Sequence, residues 1–287
     1  MDAKEIQSLL RDCGYEITVD GQFGPQSIGT LKQFQKDNGL PVTGTWQSGD
    51  NNEALLIKVA ADKNRNSELL SGVTKLFMDK DEYVGSTSKK IGVCLHHTAS
   101  GPGGKAVPTM WNNDDRGRVG THFVIGGDGE IIQCIPLNGW GYHIATTRMG
   151  FGTTYNDKVN ASYFGVEICN WGYLELKDGK YINYVGGVVP ESEVVKLDTP
   201  FRGFTYWHKY TDKQVDSTKL LLSKLKAKFG FKYETELEIP HNHQWLDLSW
   251  DAMACKRVLT THTNFEYGKF DCSPQPNFFK MLQTELI

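Results

Sequence analysis

The chain has 287 residues, 39% of them hydrophobic, and a formal net charge of −3. That is enough for one large domain plus a small one, or two medium ones. The charge argues against a strongly basic nucleic-acid or anionic-membrane binder, and no apolar run approaches the roughly 18–20 residues of a membrane span.

The first twenty residues carry acids and a helical pattern instead of a basic segment followed by an apolar one, so a cleaved signal peptide is not expected. Ile6, Leu9, Leu10 and Cys13 fall at i, i+3, i+4 and i+7, which predicts an amphipathic helix ending at Gly14-Tyr15. Asp20-Gly21-Gln22-Phe23-Gly24 is turn-forming, and Pro25 is suited to open the next helix. That helix carries Ile28, Leu31 and Phe34 on one face and stops at Gly39. Thr43-Gly44-Thr45 echoes the first turn.

Together these residues resemble the peptidoglycan-binding domain type 1 family, a three-helix module of cell-wall hydrolases. The resemblance rests on Ile6-Gln7-Ser8-Leu9-Leu10, Gly14-Tyr15, Asp20-Gly21-x-Phe23-Gly24, Phe34-Gln35 and Gly39-Leu40 with Thr43-Gly44. It implies wall binding by residues 1–62. Polar clusters at Asp62 to Ser67 and Asp79 to Lys90 place a linker at 63–88 and a second domain at 89–287.

Ile91 to His97 reads as a buried strand. Alternation puts Ile91, Val93, Leu95 and His97 on one face, and Gly92, Cys94 and His96 on the other, where small residues leave room for a site. His96 is therefore the better ligand candidate and His97 a packing residue. Thr121 to Ile125 and Glu130 to Ile135 flank Gly126-Gly127-Asp128-Gly129, a hairpin signal. His143 follows in a loop. Phe164 to Ile168 is a second buried strand, with Gly165, Glu167 and Cys169 on one face. A carboxylate in so apolar a strand is expensive unless paired, so Glu167 needs a reason.

Residues 171–210 are rich in Gly, Tyr and Trp and suggest an elaborated loop or extra hairpin. Thr211 to Gln214 opens a helix with a capping-box pattern, and Gly230 closes it. Val258 to His262 reads as a third strand, and Pro276 to Ile287 as a last helix. The large domain is thus expected to be α/β, with a mixed central sheet flanked by helices. The six cysteines (Cys13, Cys94, Cys134, Cys169, Cys255 and Cys272) are too scattered for a disulfide framework and read as reduced thiols.

A catalytic zinc keeps three protein ligands and an open position. His96, His262 and Asp271 could supply them, but spacing alone is weak, and His241-Asn242-His243 is a rival pair. The combination of motifs is more specific: it resembles the N-acetylmuramoyl-L-alanine amidase type 2 family, which includes phage lysins and peptidoglycan-recognition proteins. The residues that carry this are His96-His97-Thr98-Ala99, Gly165-Val166-Glu167, Tyr142-His143, and His262 followed by Lys269-Phe270-Asp271-Cys272-Ser273-Pro274.

The resemblance implies Zn2+ held by His96, His262 and either Asp271 or Cys272, with Asp271 keeping the register. It implies Glu167 as proton-transfer residue, Lys269 as oxyanion-stabilising cation and His143 as substrate contact. The bond would be the amide between N-acetylmuramic acid and L-alanine of bacterial peptidoglycan, cut by a monomeric, endolysin-like enzyme made in a host cytoplasm and acting on the wall. A non-catalytic peptidoglycan receptor and a zinc peptidase acting within the stem peptide are the alternatives. One departure is Thr121, where some members carry a tyrosine.

Overall fold

In the computed structural model, which describes residues 1–85, 89–144, 150, 152–233 and 244–284, the chain divides into two units, Met1–Leu69 and Leu70–Ile287. The first is three helices: α1 (Ala3–Asp12), α2 (Pro25–Asp37) and α3 (Asn51–Ser67). Asp2 caps α1 by a reciprocal box, its carboxylate accepting from Glu5 N while Glu5 accepts from Asp2 N. Ile6, Leu10, Leu31, Phe34 and Leu56 form the core, whereas Ile28 is exposed.

The two echoing turns have one physical cause. Gln7 and Gln35 are buried amides that each accept the turn glycine's N–H: Gly21 N at 2.8 Å and Gly44 N at 2.9 Å. Their NH2 groups donate to Asp20 and Ser27, and to Thr43 and Asn52. Both glycines have positive φ (79° and 69°), which a side chain would strain.

The second unit begins with β1 (Thr74–Lys75), β2 (Gly92–His97), α4 (Ala106–Asn112), β3 (Phe123–Ile125) and β4 (Ile131–Gln133). Then come α5 (Thr153–Ser162), β5 (Tyr163–Ile168), β6 (Tyr173–Lys177), β7 (Lys180–Ile182), β8 (Val188–Val189), β9 (Val194–Phe201) and β10 (Phe204–His208). The chain closes with α6 (Asp212–Phe229), α7 (Trp250–Met253), β11 (Leu259–Thr261) and α8 (Pro276–Thr284).

Six strands form one mixed sheet in the order β1-β4-β3-β5-β2-β11, antiparallel only between β3 and β4. The expected α/β class is the one observed. β2 is buried along its whole length, as suits a parallel strand covered on both faces. Val93, Leu95, Phe164 and Val166 pack with Leu221, Leu225 and Phe278 of α6 and α8, while Cys94 faces Ile144, Val159 and Phe265. Thr211 makes the expected capping box with Gln214.

Two regions differ from the sequence reading. The residues expected as linker, 63–88, begin inside α3, and Leu70 and Met78 are already buried in cores of the second unit. β1 also pairs with β4. Residues 171–210 are not a loop or single hairpin: they build a second, wholly antiparallel sheet of five strands, β8-β7-β6-β10-β9.

Candidate metal centre

β2 lies between β5 and β11 and pairs in parallel with both. The register sets His96 directly beside Glu167 and Leu95 beside Thr261. His262 begins the single 3-10 turn that follows β11. The chain then loops back, and Thr263 N donates to Asp271 O. Two strand ends and one returning loop therefore bring His96, His262 and Asp271 together.

His96 Nδ1 lies 3.0 Å from His262 Nδ1, and Asp271 Oδ2 lies 3.0 Å and 2.9 Å from those two nitrogens. Three atoms bound tetrahedrally at ~2.0–2.1 Å to one ion would stand ~3.3 Å apart, close to this triangle. The protonation states fit as well. Burial pushes the His96 pKa down to about 4, despite the opposing pull of Asp271. Burial likewise lowers His262. Both imidazoles are thus neutral near pH 7 and present lone pairs. Burial works to raise Asp271, but protons on His262 and His96, where those rings carry them, hold it well below the usual carboxylate range.

The second nitrogen of each imidazole is informative. His96 Nε2 lies 3.0 Å from His143 Nδ1. With the Nδ1 lone pair of His96 turned to the triangle, its Nε2–H donates to His143, which fixes the tautomer of both rings. His143 is positioned by Asn160, whose Oδ1 accepts from His143 N and Ile144 N at 2.8 Å and 2.7 Å. Gly165 makes the seat possible: a Cβ there would lie 2.9 Å from His143 Nδ1 and 2.7 Å from Thr121 Cγ2. The Nε2 atoms of His143 and His262 are buried with no partner.

Cys94, His96 and His143 form another group of possible ligand atoms. It lacks a carboxylate, and burial pushes the Cys94 thiol well up, so the first group suits a dication better. Cys272 lies in the apolar core and is not in either group. His241 and His243 lie outside the described residues.

Glu167 and Lys269 line the same cleft of ≈ 760 Å³ as the three converging side chains, as does His143. One carboxylate oxygen of Glu167, Oε2, is buried without a partner. Burial, then the Asp271 carboxylate, raise its pKa well above the usual range, with Lys269 opposing. Thr121 also lines the cleft, but its hydroxyl donates to Phe123 O. His122 is structural, bridging Gly139 O and Gly165 N. His97 packs edge-on against Trp207, 3.4 Å from the Tyr210 hydroxyl.

Sequence reasoning missed the groups that fix the returning loop, and they come from the second sheet. Arg202, in the β9–β10 turn, donates from Nη1 to the carbonyls of Glu266, Tyr267 and Lys269. Just beyond β10, the Tyr210 hydroxyl accepts from Ser273 N, and Gln275 bonds Tyr210 N and His208 O. The loop carrying Lys269 and Asp271 is thereby held at both ends. Most of these partners are main-chain groups, so no pattern of residue types announces them.

Two family models match the chain, one in each unit. The family described as N-acetylmuramoyl-L-alanine amidase matches residues 87–257, and a peptidoglycan binding domain matches residues 2–47. The first span includes His96, His143 and Glu167 but ends before His262, Lys269 and Asp271. No curated protein matches the chain significantly. Among solved structures, the chain is similar to a mutant endolysin from Bacillus subtilis at 18% identity, covering 75% of this chain and 99% of that one (TM-score 0.43). It is also similar to an endolysin N-acetylmuramoyl-L-alanine amidase from Clostridium intestinale at 16% identity, covering 76% and 97% (TM-score 0.41).

Proposed function

The chain belongs to the N-acetylmuramoyl-L-alanine amidase family of peptidoglycan hydrolases, and from that premise we propose a zinc-dependent enzyme of the endolysin kind that releases the stem peptide from N-acetylmuramic acid. The observation that carries the metal is the triangle of His96 Nδ1, His262 Nδ1 and Asp271 Oδ2, with sides of 2.9–3.0 Å, opening into the cleft. These three residues would hold Zn2+. When bound, the ion lowers the pKa of a water ligand from about 15.7 toward about 7 and polarises the carbonyl to be cut.

The chain's own residues supply the rest. Glu167, beside His96 in register, takes a proton from the attacking water and returns it to the departing alanine nitrogen. Its buried surroundings raise its proton affinity and so make the ionised form a stronger base. Lys269 places a cation in the cleft where the carbonyl oxygen gains charge. His143 orients His96, and its Nε2–H remains available to substrate. Cys272 is left out of the ligand set.

The N-terminal unit would hold the enzyme on the wall, consistent with the match over residues 2–47. Peptidoglycan is then the partner of both units, and the chain works as a monomer. Among the described residues, no helix is long and apolar enough to cross a membrane.

Digestion of purified cell wall, followed by mass spectrometry of the fragments, tests the reading. Intact stem peptides with a free N-terminal alanine are expected. Cleavage inside the stem peptide would replace the amidase by a peptidase, and no release by zinc-loaded protein would make the chain a receptor.

A further inference from the structure

The cleft is lined from two segments. One carries Arg116 and Asn156 together with the rings of Trp111 and Tyr142. The other comes from the segment that builds the second sheet and is aromatic: Trp171 just before β6, Tyr173 within it, and Tyr184 between β7 and β8. Lys269 and Asp271, of the returning loop, are charged residues of the same lining.

We propose that the wall formed by Trp171 and Tyr184 is a subsite for a neutral sugar ring of the glycan strand, beside the residue whose amide is cut. The inference rests on the amidase reading above and names the part of the substrate that this wall takes.

Several features favour a built surface. Tyr184 is 56% exposed and is followed by Val185 at 59% and Val188 at 60%, so the edge is apolar and uncovered. The hairpin holding it is nonetheless fixed. Asn183 Oδ1 accepts from Val185 N and Gly187 N at 3.2 Å and 2.7 Å, and Asn183 N donates to Gly187 O at 2.9 Å. The Trp171 backbone N–H donates to His208 Nδ1, and a Cβ on Gly101 would come within 3.2 Å of the Trp171 ring. The two ring centroids are 6.4 Å apart at 57°, an open angle rather than a closed stack. A hairpin backbone held in place loses little freedom when a ligand docks.

The chemistry selects the occupant. A pyranose presents an apolar C–H face that stacks on aromatic rings, with its hydroxyls directed outward. The stem peptide carries carboxylates, which gain nothing from a neutral aromatic wall. The aromatic wall is also continuous with the cleft that holds the reacting amide, so a glycan threading that cleft would reach it.

The test uses the full chain with zinc, and Y184A beside Y184F, which keeps the ring. Release of N-terminal alanine is measured on long glycan strands bearing stem peptides and on a short muramoyl peptide. Binding of a tetramer of N-acetylglucosamine is followed by tryptophan fluorescence. We expect Y184A to lower the ratio of kcat/KM between long and short substrates by about tenfold and to weaken tetramer binding similarly, with Y184F within about twofold of wild type. An equal loss on both substrates, a Y184F as impaired as Y184A, or displacement of the tetramer by free stem peptide would overturn the assignment. If wild type releases no alanine from either substrate, the amidase reading fails, while the tetramer titration still decides the sugar subsite.

Discussion

The two sheets of the second unit divide the labour between presenting the proposed ligands and holding them. The six-stranded sheet is sealed: β2 is buried throughout, and its strand ends deliver His96, Glu167 and, through β11, His262. The five-stranded sheet is wet, with β7 lacking any fully buried residue and β9 alternating poorly. Yet its turn residue Arg202 and the segment after β10 secure the loop that carries Lys269 and Asp271. Buried strands fix a side chain through packing. An exposed sheet does so by aiming hydrogen bonds at another loop's carbonyls.

Removing chemistry from the first sheet is expected to have the largest effect. E167Q keeps the shape of the side chain but cannot accept a proton, so alanine release should fall about 10²–10⁴-fold. Zinc content, measured by elemental analysis, should stay at the wild-type level, because Glu167 is outside the triangle. Undiminished activity would remove Glu167 from proton transfer.

A smaller loss is expected from the second sheet. R202A frees three carbonyls of the 266–269 loop, and a displaced supporting partner typically costs about 10–100-fold in metal affinity or activity. A positioning role predicts weaker zinc retention against a chelator together with lower kcat. All three bonds come from the single nitrogen Nη1, so R202K, whose ammonium also carries its donors on one nitrogen, should restore part of the loss. A variant that unfolds more easily while binding zinc normally would make Arg202 merely structural.

These two sheets were unequally legible from the chain itself. Ile91 to His97 and Phe164 to Ile168 are near-continuous apolar runs, and their small residues predicted which face holds the histidine and the glutamate. β6 shows only Leu174 buried, and in β9 Leu197 and Phe201 are four apart, so the period of two that marks a half-buried strand is absent. The sequence register favours Asp271 over Cys272 as the expected ligand. In the fold the Asp271 carboxylate meets the two histidines, while Cys272 packs in the core. The polar stretch at 62–67 read as linker because its composition is loop-like, but α3 is carried through it after packing Leu56 and Ala60.

G165A probes how tightly the first sheet is built around its site. The added methyl would meet His143 Nδ1 and Thr121, so either ring or strand must shift by several tenths of an ångström. His96 would then lose the partner of its Nε2–H, and a roughly tenfold fall in alanine release is expected. The same exchange at Gly179, between β6 and β7, strains a positive φ but meets no neighbour, and should leave catalysis near wild type. Equal losses at both glycines would erase the distinction between the sheets.

The mildest test is of stability. Lys90, just before β2, is buried, and its Nζ donates to Gly139 O and Ala161 O over the Phe164 ring, with His122 nearby. Burial lowers its pKa from 10.5 to about 7. Below that value Lys90 is protonated in both states, and the folded protein bears the full cost of burying the charge. Between about 7 and 10.5 the unfolded chain binds more protons at this position, so the contribution to stability rises with pH. Urea midpoints from pH 6.5 to ~8.5, read as the difference from K90M, cancel the thiol and phenol ionisation that both proteins share. Across that window wild type should gain stability relative to K90M, whose methionine carries no charge, and Gly139 O still receives the N–H of His122. The difference should amount to no more than a few kcal/mol and should leave the exposed second sheet unaffected, as proteolysis or hydrogen exchange at residues 173–208 would report. A flat difference between the two proteins would mean that Lys90 keeps its charge solvated, and that the first sheet is less sealed than its apolar strands imply.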